Sequence, residues 1–287
     1  MSMQNLLVIG QGDIGLPLTN KLASEGYDVT GLARSERHQY DLVNDANFLQ
    51  ADALTLTAEQ LQSFTHIAII VTPDEYSATG YHDSYLAINQ HLAALAPVLA
   101  NLERIIFISS TGVYGQDNGE WIDENTAPVT PARAASKVIL QAEQTLQQGF
   151  GKKAIIIRPS GIYGRERLMQ LRKAREPQKE PVAASHWSNR IMDRDLVTII
   201  ANVLTTETPK SLYIATDYRP VTTLELGVWL SEQVGEVPPA IDDKKTSVTG
   251  KRLHSNIPLA WLDYADWQTG YRDILDYQTL GHQSPDH

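Results

Sequence analysis

Gly10, Gly12 and Gly15 form a G-x-G-x-x-G set between the apolar run Asn5-Leu6-Leu7-Val8-Ile9 and the amphipathic run Leu16-Pro17-Leu18-Thr19-Asn20-Lys21-Leu22. Glycine at the first position permits a tight turn, and at the second it lets backbone approach a phosphate. At the third it lets a helix lie close to a strand. A helix beginning near Asp13 and Ile14 adds free N–H groups and a partial positive charge for phosphate oxygens. The chemistry implied is the binding of a dinucleotide's pyrophosphate. The strand–loop–helix context separates it from an ordinary glycine turn.

A second strand reads Tyr27-Asp28-Val29-Thr30-Gly31-Leu32-Ala33 and is followed by Arg34-Ser35-Glu36-Arg37. Sites for NAD hold the ribose 2′-hydroxyl with a carboxylate at the end of this strand. Here Ala33 takes that place and Arg34 follows. A guanidinium and a serine hydroxyl bind a 2′-phosphate, which a carboxylate would repel. The expectation is NADP, with NAD left open. The alternative for Arg34 and Arg37 is that both are solvated loop charges.

Such residues need a scaffold, and the remaining pattern supplies one. Strand-like and helix-like stretches alternate, which points to an α/β fold with a Rossmann-type, doubly wound parallel sheet. Further strands are expected at 47–51, at His66–Val71, at Arg104–Ile108, at Lys153–Ile157 and at Ser211–Ala215. The continuous apolar runs among them read as strands buried on both faces. Helices are expected at Tyr85–Leu102, at Pro131–Gln148 with Pro131 in its first turn, at Asp195–Leu204 and at Thr223–Val234. From Arg165 to Pro181 charged and proline-rich residues read as a surface excursion. The domain expectation is therefore a dinucleotide-binding domain over 1–164, with 189–215 returning to it. A smaller C-terminal substrate lobe takes 165–188 and 216–287, and Gln283–His287 is expected to fray.

Composition narrows the chemistry. The 287 residues contain no cysteine, which excludes disulfides, thiolate catalysis and cysteine metal sites. No His/Asp/Glu spacing marks a metal site, and no G-x-S-x-G elbow supports Ser-His-Asp hydrolysis. A net charge of −10 argues against nucleic-acid binding, so an anionic cofactor must be held by local arginines and backbone dipoles. No run approaches a membrane span, and the polar Met1-Ser2-Met3-Gln4-Asn5 start does not read as a signal peptide. The expected location is the cytoplasm.

Four more segments carry a resemblance. Phe107-Ile108-Ser109-Ser110-Thr111-Gly112-Val113-Tyr114-Gly115 resembles the strand-end serine motif of extended short-chain dehydrogenases, the NAD-dependent epimerase/dehydratase group. Arg158-Pro159-Ser160-Gly161-Ile162-Tyr163-Gly164 resembles their next strand end, and Asn189-Arg190-Ile191 with Asp195 resembles the segment that returns to the core domain. Asp52 stands where the family places an adenine-contacting aspartate. The resemblance implies that Ser110 hydrogen-bonds the reacting oxygen. It also implies that Lys137 binds the nicotinamide ribose and lowers the pKa of a tyrosine one turn earlier. That tyrosine is absent. The helix reads Pro131-Ala132-Arg133-Ala134-Ala135-Ser136-Lys137, and arginine stays protonated, so Arg133 cannot shuttle a proton as a phenol does. It can polarise a carbonyl, pair with a phosphate or carboxylate, or face solvent.

Tyr163 and Tyr114 both belong at the carboxyl edge of the sheet. Each either substitutes for the missing phenol, Tyr163 being the better placed, or packs beneath cofactor and lobe, with Tyr114 a substrate contact. Arg190 is a further substrate candidate, and His186 reads as an ordinary packing or surface histidine. The resemblance also implies homodimerisation through paired helices, including the one bearing Lys137. The functional expectation is NADP-favouring oxidoreduction, or epimerisation through transient oxidation, of a sugar-like or small carbonyl substrate. A cofactor-binding regulator that turns nothing over is the alternative.

Overall fold

A computed structural model of the protein describes residues 4–36, 41–177 and 180–280. Arg37 and the segment Gln283–His287, both singled out above, lie outside the described residues, as do Met1, Ser2 and Met3. The chain divides into two compact units. The first comprises Met1–Val113, Thr130–Arg158 and Leu196–Tyr213, and the second comprises Tyr114–Val129, Pro159–Asp195 and Ile214–His287. The second unit thus takes in 114–129, 159–164, 189–195 and 214–215 besides the segments expected of the smaller lobe.

The central sheet has seven strands: β1 (Asn5–Ile9), β2 (Asp28–Ala33), β3 (Asn47–Gln50), β4 (His66–Ile69), β5 (Arg104–Ile108), β6 (Ala154–Pro159) and β7 (Leu212–Ala215). Their order is β3-β2-β1-β4-β5-β6-β7, and β1 to β6 pair in parallel. Order reverses at β1, so the loops after β1 and β4 diverge and leave a crevice at the carboxyl edge, the place where α/β sheets bind ligands. Every residue of β4 and β6 is buried, as is β1 beyond Asn5, in keeping with helices on both faces.

Helix α1 (Gly15–Ser24) buries Leu18 and Leu22 completely. It stops at Gly26, whose φ of 86° lets Gly26 N–H bond Ala23 O and Tyr27 N–H bond Leu22 O in a Schellman closure. The helix expected at Tyr85–Leu102 is shorter and composite. A π-turn over His82–Leu86 leads into α2 (Ala87–Leu95), which tightens to a 3-10 turn at Ala96–Val98 because Pro97 has no N–H to extend the helix. Helix α3 spans Ala134–Phe150, three residues later than expected. Arg133 has ψ 131° and is the cap, so Pro131 lies in the lead-in.

In the second unit a four-stranded sheet joins Glu120–Ile122, His186–Ser188, Val221–Thr222 and Thr249–Leu253. A two-stranded ladder pairs Gly161–Tyr163 with Arg190–Met192. The excursion after Gly164 contains a helix, Met169–Arg175. Thr223–Val234 is helical as expected, capped by the Thr222 hydroxyl on Glu225 N–H. The unit's core gathers Tyr163, Leu171, Leu226, Leu230, Trp267, Tyr271 and Ile274. All five tryptophans, at 121, 187, 229, 261 and 267, belong to this second unit. Among the described residues no helix is long and apolar enough to cross a membrane, and no three His, Asp or Glu side chains gather as a metal site.

Candidate functional site

The first unit carries a phosphate cradle at the carboxyl end of β1. A Cβ at Gly10, where φ is 95°, would fall 2.0 Å from Ile70 O, and one at Gly15 would fall 1.8 Å from Gly10 O. Both glycines are therefore demanded by the chain itself. Gly12 differs: it is exposed, and a Cβ there would meet nothing within 4 Å, so its space is open to a ligand. Ile14 caps α1 without a side-chain hydrogen bond, and the first turn of α1 holds no acid. The first turn of the helix thus presents its N–H groups to that space, with the exposed Asp13 beside it. These features fit a dinucleotide's pyrophosphate.

Gln11 was not singled out by its residue type, yet it is 3% exposed and locks the loop. Its Nε2 donates to Val8 O at 3.0 Å, and a Cβ at Gly31 of β2 would fall 2.7 Å from its amide. Gly31 therefore exists to admit Gln11. No periodicity signals a glutamine that packs on a glycine twenty residues away.

Arg34 and Ser35 stand exposed at the end of β2. The Arg34 guanidinium is taken up by Asp74, beyond β4, through two hydrogen bonds of 2.8 and 2.5 Å. That pairing raises the arginine's pKa and holds the Asp74 carboxyl below the usual carboxylate range. Asp52 follows β3, adds a weaker negative field on Arg34, and accepts Leu54 N–H at 2.9 Å to start a 3-10 turn.

The loop after β5 and the start of α3 bring a second group together. Ser110 Oγ accepts Gly112 N–H at 3.0 Å, so one acceptor position is used, while its own O–H finds no acceptor among the described residues. A Cβ on Gly112 would lie 3.2 Å from both Ser110 Oγ and Ser136 Oγ, which places these two hydroxyls around the same glycine. Arg133 and Lys137, one turn apart, are both exposed and form no ion pair among the described residues. The half-buried Tyr81 feels the Arg133 charge. Its phenol is nonetheless raised above its ordinary value, chiefly by burial. Tyr81 stacks on Tyr85 at 5.4 Å, and Tyr85 meets Phe107 of β5 edge-on at 5.7 Å, so the π-turn sets an aromatic file against the sheet.

Beneath this group lies a buried ionic clamp. Ser109 Oγ donates to Glu143 Oε1, and Arg158 holds both Glu143 oxygens at 2.9 and 2.6 Å. It ties α3 to the ends of β5 and β6, and so sets where Ser110 and Lys137 sit.

The second unit holds the remaining candidates. Tyr163 is 3% exposed and stacks on Tyr271 at 4.5 Å. Its hydroxyl has no hydrogen-bond partner, and a Cβ at Gly270 would lie 2.0 Å from it. Burial pushes that phenol far above its ordinary value and Asp217 pushes it further. The arrangement is that of a core side chain, the packing role that the sequence left open for Tyr163 beside that of proton carrier. Tyr114 is likewise buried. Arg190 is half-buried, and its charge is felt by both Asp217 and Tyr271. Asp217 is 1% exposed, accepts Arg219 N–H with one oxygen, and leaves the other without a partner. Burial pushes its carboxyl up to about 8.

This unit also carries an open pocket of about 960 Å³, lined among others by Lys173, Glu176, Glu180, His186, Lys244 and Thr249. His186 Nδ1 lies 2.9 Å from Thr249 Oγ1, and the fully buried Ser231 hydroxyl has no partner.

Comparison with known proteins agrees with this architecture. Protein YeeZ of Escherichia coli strain K12 is 29% identical over 178 residues, which is 56% of this chain. The chain spans about 60% of the length of the curated relatives it matches. A structure from Methylobacillus flagellatus, provisionally assigned as an NAD-dependent epimerase/dehydratase, is 32% identical. It superposes with a TM-score of 0.78 over 97% of this chain and 100% of that one. A UDP-glucuronic acid 4-epimerase from Bacillus cereus, in complex with NAD, shares the fold at 17% identity. Its TM-score is 0.74 over 97% and 100% of the two chains. The profile of the NAD dependent epimerase/dehydratase family matches residues 6–204, and the chain belongs to that family.

Proposed function

We propose that the protein is a nicotinamide-dependent oxidoreductase or epimerase, NADP-favouring, acting on a sugar-like or small carbonyl substrate that carries negative charge. The carrying observation is the cradle of Gly10, Gly12 and Gly15 on the same sheet edge as Ser110, Ser136 and Lys137. A bound nicotinamide supplies the hydride chemistry. Gly12 and the α1 N-terminus would hold the pyrophosphate, Arg34 and Ser35 the adenosine ribose, and Lys137 the nicotinamide ribose. Ser110, with its O–H still to donate, orients the reacting oxygen. Arg133 replaces the family's tyrosine with a fixed cation and binds negative charge on the substrate. It does not move a proton.

The test is purified protein with NADPH or NADH against panels of aldehydes, ketones and nucleotide sugars, uronic acids included. Turnover is expected with at least one anionic member. Lys137→Ala is expected to abolish it, and Ser110→Ala to lower kcat by about a hundredfold while cofactor still binds. Arg133→Ala is expected to raise KM more than it lowers kcat. No absorbance change and no epimerised product across the panels would refute the proposal.

A further inference from the structure

We infer that Asp74 sets cofactor preference in this protein by occupying the guanidinium of Arg34, which it yields to a 2′-phosphate by anion exchange. The inference rests on the proposal that the glycine loop holds a dinucleotide. In the sheet, β1 lies between β2 and β4. Arg34 follows β2 and Asp74 follows β4, so their bidentate pair reaches across the end of β1, above the glycine loop. Bidentate geometry is what a guanidinium offers a phosphate as readily as a carboxylate. The carboxylate is thus an internal stand-in for the ligand group. The pair is well exposed, with side chains 63% and 69% accessible, so solvent weakens it and a dianionic phosphate can displace it. Asp52 adds to the negative field on Arg34, and the backbone of Arg34 is fixed by Gln50, whose Nε2 donates to Arg34 O at 3.2 Å. The arginine therefore stays at the strand end, whichever anion it holds.

The consequence is a discrimination smaller than a free arginine would give. An NADP site with an unopposed arginine gains the whole phosphate contact, whereas here part of it is spent on releasing Asp74. Removing the carboxylate restores the difference for 2′-phosphorylated ligands alone.

Binding of NADPH, NADH, adenosine 2′,5′-bisphosphate and AMP to the full chain is measured by calorimetry at fixed ionic strength. The proteins are the parent, Asp74→Asn, Asp74→Ala, Arg34→Ala and the Arg34→Ala/Asp74→Asn double variant. Both Asp74 variants are expected to tighten NADPH and the bisphosphate by about three- to fivefold and to leave NADH and AMP unchanged. Arg34→Ala is expected to weaken the phosphorylated ligands by about tenfold or more, and on that background Asp74→Asn is expected to do nothing. Equal effects on both cofactors, weaker NADH binding without Asp74, or additive effects in the double variant would each overturn the inference. NADH binding without NADPH binding would uphold the glycine-loop proposal and overturn this one. Binding of neither by a protein folded by circular dichroism would overturn both.

Discussion

A carboxylate that is 1% exposed and only half hydrogen-bonded, as Asp217 is, is held in the folded chain against its own ionisation. Its folded pKa, about 8, lies above the ordinary carboxylate value. The folded state therefore favours the protonated form. The destabilisation grows as pH rises from the ordinary value toward 8 and levels off beyond it. Asp217→Asn keeps an oxygen for Arg219 N–H and removes the titration. We expect it to unfold at higher urea than the parent by about 2 kcal/mol or more at pH 8. The gain should vanish near pH 4. Residues of this kind escaped the sequence, as Gln11 did, because their importance is what surrounds them rather than their spacing. Gly10 and Gly15 were legible because a tight turn and a close helix–strand contact impose intervals along the chain, whereas Arg133 and Lys137 stood out only through the family resemblance. What was not legible was that Arg34 has a partner forty residues away.

At the scale of elements, the clamp of Ser109, Glu143 and Arg158 is what holds α3 on the ends of β5 and β6. Two buried charges satisfy each other, so removing one leaves the other desolvated and unpaired. Glu143→Ala is expected to lower unfolding stability by about 3–5 kcal/mol, measured by urea denaturation. A paired Glu143→Leu/Arg158→Met change is expected to recover most of that loss, because no charge is then stranded. The seven strands of the central sheet were readable to within two residues, since continuous apolar runs have few other uses, whereas the short strands of the second unit carry no such run and were not read. Helix starts were less so. Pro131 looked suited to a first turn, yet Arg133 takes extended backbone and becomes the cap. Likewise, the π-turn at His82–Leu86 leaves no mark in the apolar spacing of the segment that contains it.

For the whole molecule, connectivity matters more than any one contact. The chain leaves one unit for the other at 113/114, 129/130, 158/159, 195/196 and 213/214, five crossings in all. Neither unit is a continuous piece of chain, so unfolding either pulls on several segments of the other. We expect a single unfolding transition, with far-ultraviolet ellipticity and tryptophan emission superposing in urea. NADPH at a hundred times its Kd is expected to move both curves together by about 2.7 kcal/mol. Interleaving of this kind blurred the domain limits in the sequence, where 114–129 falls within the expected dinucleotide-binding domain and clusters instead with the second unit. The placement of all five tryptophans there has an optical consequence. Light absorbed selectively by indole is emitted only from the second unit, against a first unit that is dark at those wavelengths. A single tryptophan introduced into the first unit of a chain whose own five were replaced by phenylalanine would make the cradle glow alone, a built-in contrast between the half proposed to hold the cofactor and the half proposed to choose the substrate.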